Sequence, residues 1–334
     1  MDDQITLAHG AGGRQTRDLI DALILPRFGN PALNEMGDAA LVEAGGTRLL
    51  FTTDGFVIKP LEFPGGDIGR LAVCGTVNDL SVAGGRPLWL SCSLVIEEGL
   101  PTALLERLLD SMAATARTAA VQIVCGDTKV VERGAADGLF ICTAGVGLPL
   151  PEYRRQPVQA GDCVLLSGPV GDHEAAVFRA RENVGPGMAL VSDCAPLNGL
   201  VATLAAVAGG GLRVMRDPTR GGLATALHEL VQGSDCSVML REEDVPVRAE
   251  VRALCELVGF EPYHLACEGR LVAIAAAERA PALLAAMRTH AQGREAAIIG
   301  ELVGDGRSRV YLENRFGGGR VLGLVSGVQL PRIC

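Results

Sequence analysis

The sequence predicts an α/β protein built from two tandem α/β units. Its 334 residues are enough for about two domains of ordinary size, each able to bury a hydrophobic core. Short apolar runs rich in β-branched residues alternate along the chain with stretches of helical periodicity. Hydrophobic residues make up 48% of the chain and charged residues 21%, which is typical of globular proteins and excludes a disordered or collagen-like chain.

The first unit is predicted to contain four strands and one long helix. Leu104, Leu108 and Met112 recur at helical spacing, so we expect a helix between residues 101 and 120. A shorter helical pattern covers residues 16–25 near the N-terminus. Apolar runs predict strands over residues 47–52, 88–96, 122–125 and 139–146.

The best candidate for a domain boundary is a cluster of prolines, Pro149, Pro151 and Pro157. A new strand is expected at 162–168. Further helices are predicted near 172–182, 195–208, 221–232, 247–258 and 279–290, and further strands near 236–240, 270–276 and 296–303. We therefore expect an N-terminal segment at 1–35, a first domain at 36–150, a second domain at 158–313 and a tail at 317–334.

The charge balance excludes some partners. The chain has a formal net charge of −9 and only 4% aromatic residues, so it offers neither the basic field nor the stacking surface that nucleic acid binding needs, nor an attraction to anionic membranes. The most apolar helical stretch, 271–287, is broken by Glu278, Arg279 and Pro281. The acidic start, Met1 to Gln4, precedes no apolar segment, so we expect no signal peptide and a cytoplasmic protein.

Ten cysteines are scattered through the chain without a Cys-x-x-Cys motif. We expect the first nine to be core residues in a reducing compartment, because a buried free cysteine behaves as a small hydrophobe. The tenth, Cys334, is the last residue and follows the glycine-rich stretch that begins at Gly317. Fully extended, this tail could reach roughly 60 Å. It reads either as a frayed chain end or as a mobile arm that carries a thiol.

Four acidic residues stand beside glycines or at the ends of apolar runs, in contexts that we read as turn-like: Asp54, Asp79, Asp127 and Asp217. Each one alone is most simply a capping or turn residue. As a set they favour binding of Mg²⁺ and a nucleotide, because carboxylates supply metal ligands and adjacent glycines let a phosphate approach.

A short glycine-rich loop at residues 9–13 precedes the first helical pattern. Backbone amides of Gly10, Gly12 and Gly13 could cradle a phosphate at the start of that helix. The loop matches neither the Walker motif nor the dinucleotide-binding fingerprint, so a nucleotide site here requires another fold.

Several motifs together closely resemble the HypE family of hydrogenase maturation proteins, which belongs to the aminoimidazole-ribonucleotide-synthetase-like superfamily. The motifs lie at residues 9–13, 53–57, 63–69, 75–79, 126–131, 171–173, 216–222 and 268–269, and the last is the Pro-Arg-Ile-Cys ending at 331–334. The resemblance extends over essentially the whole chain. The ending is its most specific part, because the wider superfamily shares the acidic motifs without this tail.

The resemblance implies a fold, a reaction and partners. It implies two α/β domains, with the first domain forming a β-barrel across a homodimer and ATP bound between the domains. It implies a carbamoyl dehydratase that converts a thiocarboxamide on the C-terminal cysteine to a thiocyanate with ATP and Mg²⁺. It also implies a carbamoyltransferase maturase that loads the thiol, and an iron-carrying scaffold complex that accepts the cyanide ligand of the nickel–iron hydrogenase.

The family's functional residues can be placed on matching positions of this chain. The resemblance makes Cys334 the covalent carrier, Glu268 the base, Lys129 a contact of phosphate or of the thiocarboxamide oxygen, and His173 a contact of phosphate. The four aspartates, Asp54, Asp79, Asp127 and Asp217, become ligands of Mg²⁺ and ATP. Further nucleotide contacts are expected from Gly10, Gly12, Gly13, Asn78, Thr128 and Arg220. The chain departs from the family's pattern at Cys125, Glu174, Cys267 and Arg270.

Two alternative functions remain open at this point. The first is another ATP-using enzyme of the superfamily, similar to selenophosphate synthetase or thiamine-phosphate kinase. A selenophosphate synthetase needs a reactive Cys or selenocysteine near its N-terminus, whereas the first cysteine here is Cys74. The second is a non-catalytic maturation scaffold with a docking tail, which would leave the acidic motifs and Lys129 unexplained.

Overall fold

The computed structural model describes residues 4–185, 187–324 and 332–334. Near the N-terminus, α1 (Arg14–Leu19), a π-helical segment (Ile20–Ile24) and α2 (Leu25–Phe28) follow one another as one helical run. The helix that periodicity predicted over 16–25 is therefore present. It begins directly after the glycine-rich loop, and Gly13 is its N-cap.

The first domain contains a five-stranded sheet in the order β1-β2-β7-β5-β6. Its strands are β1 (Ala40–Ala44), β2 (Thr47–Phe56), β5 (Gly85–Glu97), β6 (Gln122–Val131) and β7 (Leu139–Pro149). Neighbouring strands are antiparallel except β5 and β6, which are parallel. The short strands β3 (Glu62–Phe63) and β4 (Gly66–Asp67) form a separate hairpin. All four strands that the sequence predicted here are confirmed.

Two helices cover this sheet, and the sequence predicted only one of them. The predicted helix is α4 (Thr102–Thr118), and the other is α3 (Ile68–Val82). Nearly every residue of α3 is buried, so its sequence carries no amphipathic period to recognise. A Cβ at Gly69 would lie 2.2 Å from the Leu108 carbonyl oxygen, so glycine permits the close approach of α3 and α4.

The second domain is a seven-stranded sheet with helices packed against it. The strand order is β14-β13-β10-β12-β8-β11-β9. The strands are β8 (Cys163–Leu166), β9 (Leu212–Arg216), β10 (Cys236–Arg241), β11 (Val272–Ala275), β12 (Ala297–Gly304), β13 (Val310–Glu313) and β14 (Gly319–Val321). The helices are α5 (Asp172–Glu182), α6 (Asn198–Val207), α7 (Gly222–Val231), α8 (Ala249–Val258) and α9 (Ala280–Thr289), all at predicted places.

The prediction that the four aspartates lie in turn-like positions is wrong for three of them. Asp54 lies within β2, Asp127 lies within β6, and Asp79 lies in the last turn of α3. Only Asp217 directly follows a strand, β9. The error arises because neighbouring glycines and polar residues resemble turns in sequence, whereas here they belong to regular elements.

The expectation that the first nine cysteines are buried is also partly wrong. Six of them are buried, but Cys125 and Cys142 are exposed and Cys163 is half-buried. Cys125 lies on β6 and Cys142 on β7, within the exposed faces of the first sheet. Over the described residues, no helix combines the length and the apolar character that crossing a membrane requires.

The tail differs from a uniformly free arm at both of its ends. Residues 319–321 form β14 at the edge of the second sheet. Ile333 is buried in the core of the first domain, and Cys334 packs against the same core. Residues 325–331, the middle of the expected arm, lie outside the described residues.

Candidate active site between the domains

Three carboxylates from three separate elements meet in the cleft between the domains. Asp38 precedes β1, Asp79 lies in the last turn of α3, and Asp217 follows β9. One oxygen of each lies within 4.8 Å of the others. Asp38 was not among the predicted ligands, although it has the same signal as Asp54, an adjacent glycine (Gly37) beside an apolar run.

The cluster brings several acidic groups together in a buried position, which disfavours their ionised forms. Burial raises the pKa of Asp79 well above its usual range, and burial raises the pKa of Asp217 to about 8. The Asp217 Oδ2 atom is buried and has no hydrogen-bond partner among the residues described. Arg216 partly offsets the negative charge, with its Nη2 3.1 Å from Asp38 Oδ1. Clustered carboxylate oxygens with an unused buried acceptor are a donor set suited to Mg²⁺.

The other two predicted metal ligands take different positions. Asp54 lies beside the cluster, where its charge helps to raise the pKa of Asp79, and its Oδ2 accepts a 3.0 Å hydrogen bond from Thr76 Oγ1. Asp127 lies on β6, and the strand register places the two aspartates on opposite sides of β7 and β5. Three strand spacings amount to roughly 14 Å, so one chain does not bring Asp127 to the cluster.

Asp127, Thr128 and Lys129 form a separate exposed group on β6. Lys129 Nζ lies 2.8 Å from Asp127 Oδ2, and the Thr128 backbone N–H donates to Asp127 Oδ1 at 2.9 Å. The Lys129 side chain is 67% exposed. Among the described residues of a single chain, Lys129 therefore contacts neither the aspartate cluster nor the tail at 317–324 and 332–334.

The glycine-rich loop packs on the start of α7. Arg220 Nη1 donates to the Gly10 carbonyl oxygen at 3.2 Å, and a Cβ at Gly12 would lie 2.8 Å from Arg220 Cβ. Gly12 also has a positive φ of 76°. Both the close contact with Arg220 and this backbone conformation therefore disfavour any residue with a side chain at this position. Gly13 caps the following helix, as described above.

A cavity of about 210 Å³ opens between this loop and the N-terminus of α7. Arg220, Asp217 and Thr225 line it, and the Thr225 hydroxyl is buried with no partner in the part of the chain that the structure describes. A helix N-terminus, an arginine and an unused hydroxyl together favour a phosphate group.

Asn78 and Glu268 connect the domains next to the cluster. The Asn78 amide donates to the Ala195 and Glu268 carbonyl oxygens at 3.2 and 3.3 Å and accepts from the Leu197 N–H at 2.8 Å. The polar atoms of Asn78 thus hold the second domain against α3. Glu268 itself is 2% exposed, and within the described ranges its Oε1 atom has no partner. Burial raises its pKa well above the usual range, with Asp217 adding to the effect.

The end of the tail reaches this same cleft, where it lies beside residues 57–59. The Val57 N–H donates to a Cys334 backbone oxygen at 2.9 Å and the Lys59 N–H donates to the Arg332 carbonyl at 3.4 Å, which is an antiparallel pairing. His173 lies under the tail: its Nδ1 contacts Ser192 Oγ at 2.8 Å and its Nε2 contacts the Ile333 carbonyl at 2.7 Å. Within this structure His173 therefore binds the tail backbone, where the sequence suggested a phosphate contact.

The docked Cys334 thiol sits among charged groups. Burial raises the pKa of this thiol to about 12; the Arg220 guanidinium opposes the rise, whereas Glu268 and Asp54 add to it. The thiol is therefore protonated at neutral pH in this position and is a poor nucleophile. The geometry suits a group carried on sulfur and presented to Glu268, Arg220 and the aspartate cluster.

Comparison with known proteins agrees with this architecture. Residues 36–148 match the N-terminal domain of AIR synthase related proteins, and residues 159–313 match their C-terminal domain. The chain is 50% identical over 333 residues to the carbamoyl dehydratase HypE of Bradyrhizobium diazoefficiens, covering 99% of this chain and 96% of the relative. It is 45% identical to HypE of Escherichia coli K12, covering 99% and 100%.

Solved structures extend the likeness. A HypE–HypF complex matches with a TM-score of 0.87 at 42% identity, covering 92% of this chain and 99% of the solved one. A HypE structure in complex with ATP matches with a TM-score of 0.82 at 43% identity, covering 99% and 100%. Together with the docked Arg-Ile-Cys terminus and the buried acidic cleft, these matches show that the chain belongs to the HypE family of carbamoyl dehydratases, the enzymes of hydrogenase maturation.

Proposed function

We propose that this protein dehydrates a carbamoyl group carried on the Cys334 sulfur. In this reaction, the amide oxygen of the thiocarboxamide attacks the γ-phosphorus of ATP and ADP leaves. The C–O bond then breaks to release phosphate, and the nitrogen gives up its two protons. The products are a thiocyanate on Cys334, ADP and phosphate, so the oxygen of the amide ends in the phosphate. The observation that carries the proposal is the docked terminus, which places the thiol beside Glu268 and Arg220.

Glu268 is suited to accept a proton from the nitrogen. Its Oε1 atom is buried and unpartnered among the described residues, so it can face a bound group. A carboxyl with a raised pKa is a stronger base once ionised, and proton transfer is most effective when the pKa of the base lies near the working pH. Arg220 is placed to neutralise charge that develops on the transferring phosphoryl group.

The aspartate cluster fits a Mg²⁺ ion, with Asp38, Asp79 and Asp217 as the residues that would hold it. When bound, such an ion neutralises charge on the phosphates of ATP. The cavity at the N-terminus of α7 supports the assignment of a phosphate to Thr225 and Arg220. Gly12 contributes to this cavity by allowing the loop to approach Arg220, and the Gly10 carbonyl oxygen accepts a hydrogen bond from the Arg220 guanidinium.

We propose that Cys334 receives its carbamoyl group while the tail is undocked. A thiol with a pKa of about 12 offers almost no thiolate at neutral pH, whereas an exposed thiol has an ordinary pKa near 8.5. We therefore propose that a HypF-type carbamoyltransferase loads the tail outside the cleft, in keeping with the solved HypE–HypF complex. A second partner, an iron-carrying scaffold complex, would accept the cyanide after dehydration.

We also propose a homodimer that pairs through β6. This strand has one free edge among the described residues and exposes Val124 and Val130, which are 57% and 68% exposed. An exposed apolar edge strand favours pairing with another copy. Such a dimer would also give Lys129 a route to a tail, because Lys129 lies on the same strand and not at the site of its own chain.

The mass of the intact protein tests the main proposal. Incubation with the carbamoylating partner should add the mass of one carbamoyl group, and subsequent MgATP should remove the mass of one water. The C334A variant should show neither change, and E268Q should show the gain without the loss. C163A, which removes a half-buried cysteine of the second domain, is the matched control and should show both. A C334A protein that still gains and dehydrates a carbamoyl group would overturn the proposal.

Mixed dimers test the position of Lys129. A K129A chain and a C334A chain are each expected to be inactive alone. If Lys129 acts on the tail of the other subunit, refolding or co-expressing the two variants should restore between about a quarter and a half of the wild-type dehydration activity. The fraction depends on how freely the chains exchange between dimers. Mixed dimers that stay inactive, although native mass spectrometry shows that they form, would place Lys129 elsewhere.

A further inference from the structure

The last three residues occupy a groove whose walls come from both domains. On one side, Val57 and Lys59 pair with the tail backbone, as described above. On the other side, Arg181 of α5 donates from Nε to the Lys59 carbonyl at 2.7 Å and from Nη2 to the Arg332 carbonyl. Arg181 therefore bridges the two backbones of this short antiparallel pairing.

The side chains of the tail point to different surroundings. Ile333 is buried in the core of the first domain, and Cys334 enters the cleft. The Arg332 guanidinium forms an ion pair with Asp137, which lies in the loop between β6 and β7. Asp137 also accepts from Lys59 Nζ at 3.3 Å. The side chains of Arg332, Asp137 and Lys59 bind one another and not the aspartate cluster, so their role is separate from metal or nucleotide binding.

Arg332 adopts a backbone conformation that opposes docking. Its φ is +61°, in the left-handed region that L-residues with a side chain rarely occupy. Contacts must therefore hold it there: the ion pair with Asp137 acts on its side chain and Arg181 acts on its carbonyl. Because the ion pair is about one-third exposed on both sides, it stabilises docking only modestly.

We propose that Asp137 and Arg181 are positioning residues that hold the C-terminal tripeptide in the cleft, with Asp137 recognising the Arg332 side chain and Arg181 recognising its backbone. The inference rests on the proposed function of Cys334 as the carrier. Weak, paired contacts on a strained residue keep docking reversible, which suits a carrier that must leave the cleft to be loaded and return to react. Neither residue touches the reacting group.

Alkylation of Cys334 measures docking without any catalysis. The rate is followed by mass spectrometry of the C-terminal peptide, because Cys125 and Cys142 are also exposed. D137N and R332Q should each raise the rate by about fivefold, which is the exposed-pair contribution of about 1 kcal/mol converted to a rate ratio. R181Q should raise it at least as much. The control D110N removes an exposed carboxylate of α4 and should leave the rate unchanged.

Double variants separate the two contacts. If Asp137 acts through the Arg332 side chain, D137N/R332Q should be no faster than either single variant. If Arg181 acts through the backbone, the effects of R181Q and R332Q should multiply. On enzyme loaded in advance, D137N should slow single-turnover dehydration by at most about fivefold, and by less where the loaded tail stays mostly docked, while loading by the carbamoylating partner is unchanged or faster.

Three results would overturn the inference: alkylation rates equal to the wild type, multiplying effects for D137N and R332Q, or slower loading by the partner. Melting temperatures of all variants identify a loss of folding, in which case the conservative R181K variant, which keeps the charge, replaces R181Q. If alkylation responds as expected but C334A still supports dehydration, the proposed function fails and the docking contacts stand.

Discussion

Glu174 is a buried ionisable residue, and its burial disfavours the charged form of the carboxyl group. It lies in the first turn of α5 and is 2% exposed. Its Oε2 accepts a 2.7 Å hydrogen bond from the Ala266 N–H, and its own N–H donates to the Ala266 carbonyl at 3.2 Å. Burial raises its pKa from the ordinary 4.5 to about 7, although the hydrogen bond and the nearby Arg181 both oppose the rise.

A raised carboxyl pKa makes the native protein less stable as the pH rises. Between pH 4.5 and 7 the native state holds a proton on Glu174 that the unfolded state has lost, so stability falls across this window. At ~1.4 kcal/mol for each pH unit of difference, the cost reaches about 3 kcal/mol at pH 8 and is below ~1 kcal/mol at pH 5. Glu174→Gln keeps an acceptor oxygen for Ala266 and removes the titration, so the variant should gain these amounts.

Urea unfolding of the wild type and E174Q at pH 5 and pH 8 measures the difference in the free energy of unfolding. E106Q, which neutralises an exposed glutamate of α4, is the control and should gain little at either pH. If E174Q gains the same amount at both pH values, or nothing at pH 8, then burial of an ionised Glu174 does not limit the stability of this protein.

Two further changes test the cleft and the edge strand. D79N removes one of three carboxylates whose oxygens lie within 4.8 Å of one another, at a position where burial and the neighbouring carboxylates raise the pKa of Asp79 well above its usual range. Each unit of such a rise costs the native state about 1.4 kcal/mol at neutral pH, so the variant should melt higher without ligand but lose the stabilisation by MgATP. A D79N protein that melts higher with MgATP, as the wild type does, would remove Asp79 from the metal site. V130K places a charge on the exposed edge of β6 and should give a monomer by light scattering at micromolar concentration; a V130K dimer would exclude this edge as the interface.

Local sequence patterns were sufficient to predict most of the regular elements. The long helix α4 has a clear apolar stripe, and the predicted strands have β-branched runs. A few residues of each element are therefore enough to recognise its periodicity. The helix α3 escaped prediction because it is buried on all sides and contains Gly69 and Gly75, which removes both the period and the favourable helix propensity.

The chemistry-bearing residue types were also readable from the sequence, but their grouping was not. Asp79 and Asp217 were predicted as ligands and do meet in the cleft, joined by Asp38, which the motifs did not single out. Asp127 and Lys129 carry the same kind of motif yet lie on the opposite edge of the sheet. A motif identifies a residue that can bind a ligand, whereas strand order decides which residues can bind the same one.

The sequence by itself determined the α/β class, the order of most elements and the presence of a terminal thiol on a glycine-rich segment. Only the tertiary structure decided where that thiol goes, because its docking depends on Val57, His173 and Arg181, which precede it by more than 150 residues. It also decided the chemical state of Cys334 and Glu268. The pKa of a side chain reflects its burial and its charged neighbours, and both arise only when distant segments pack together.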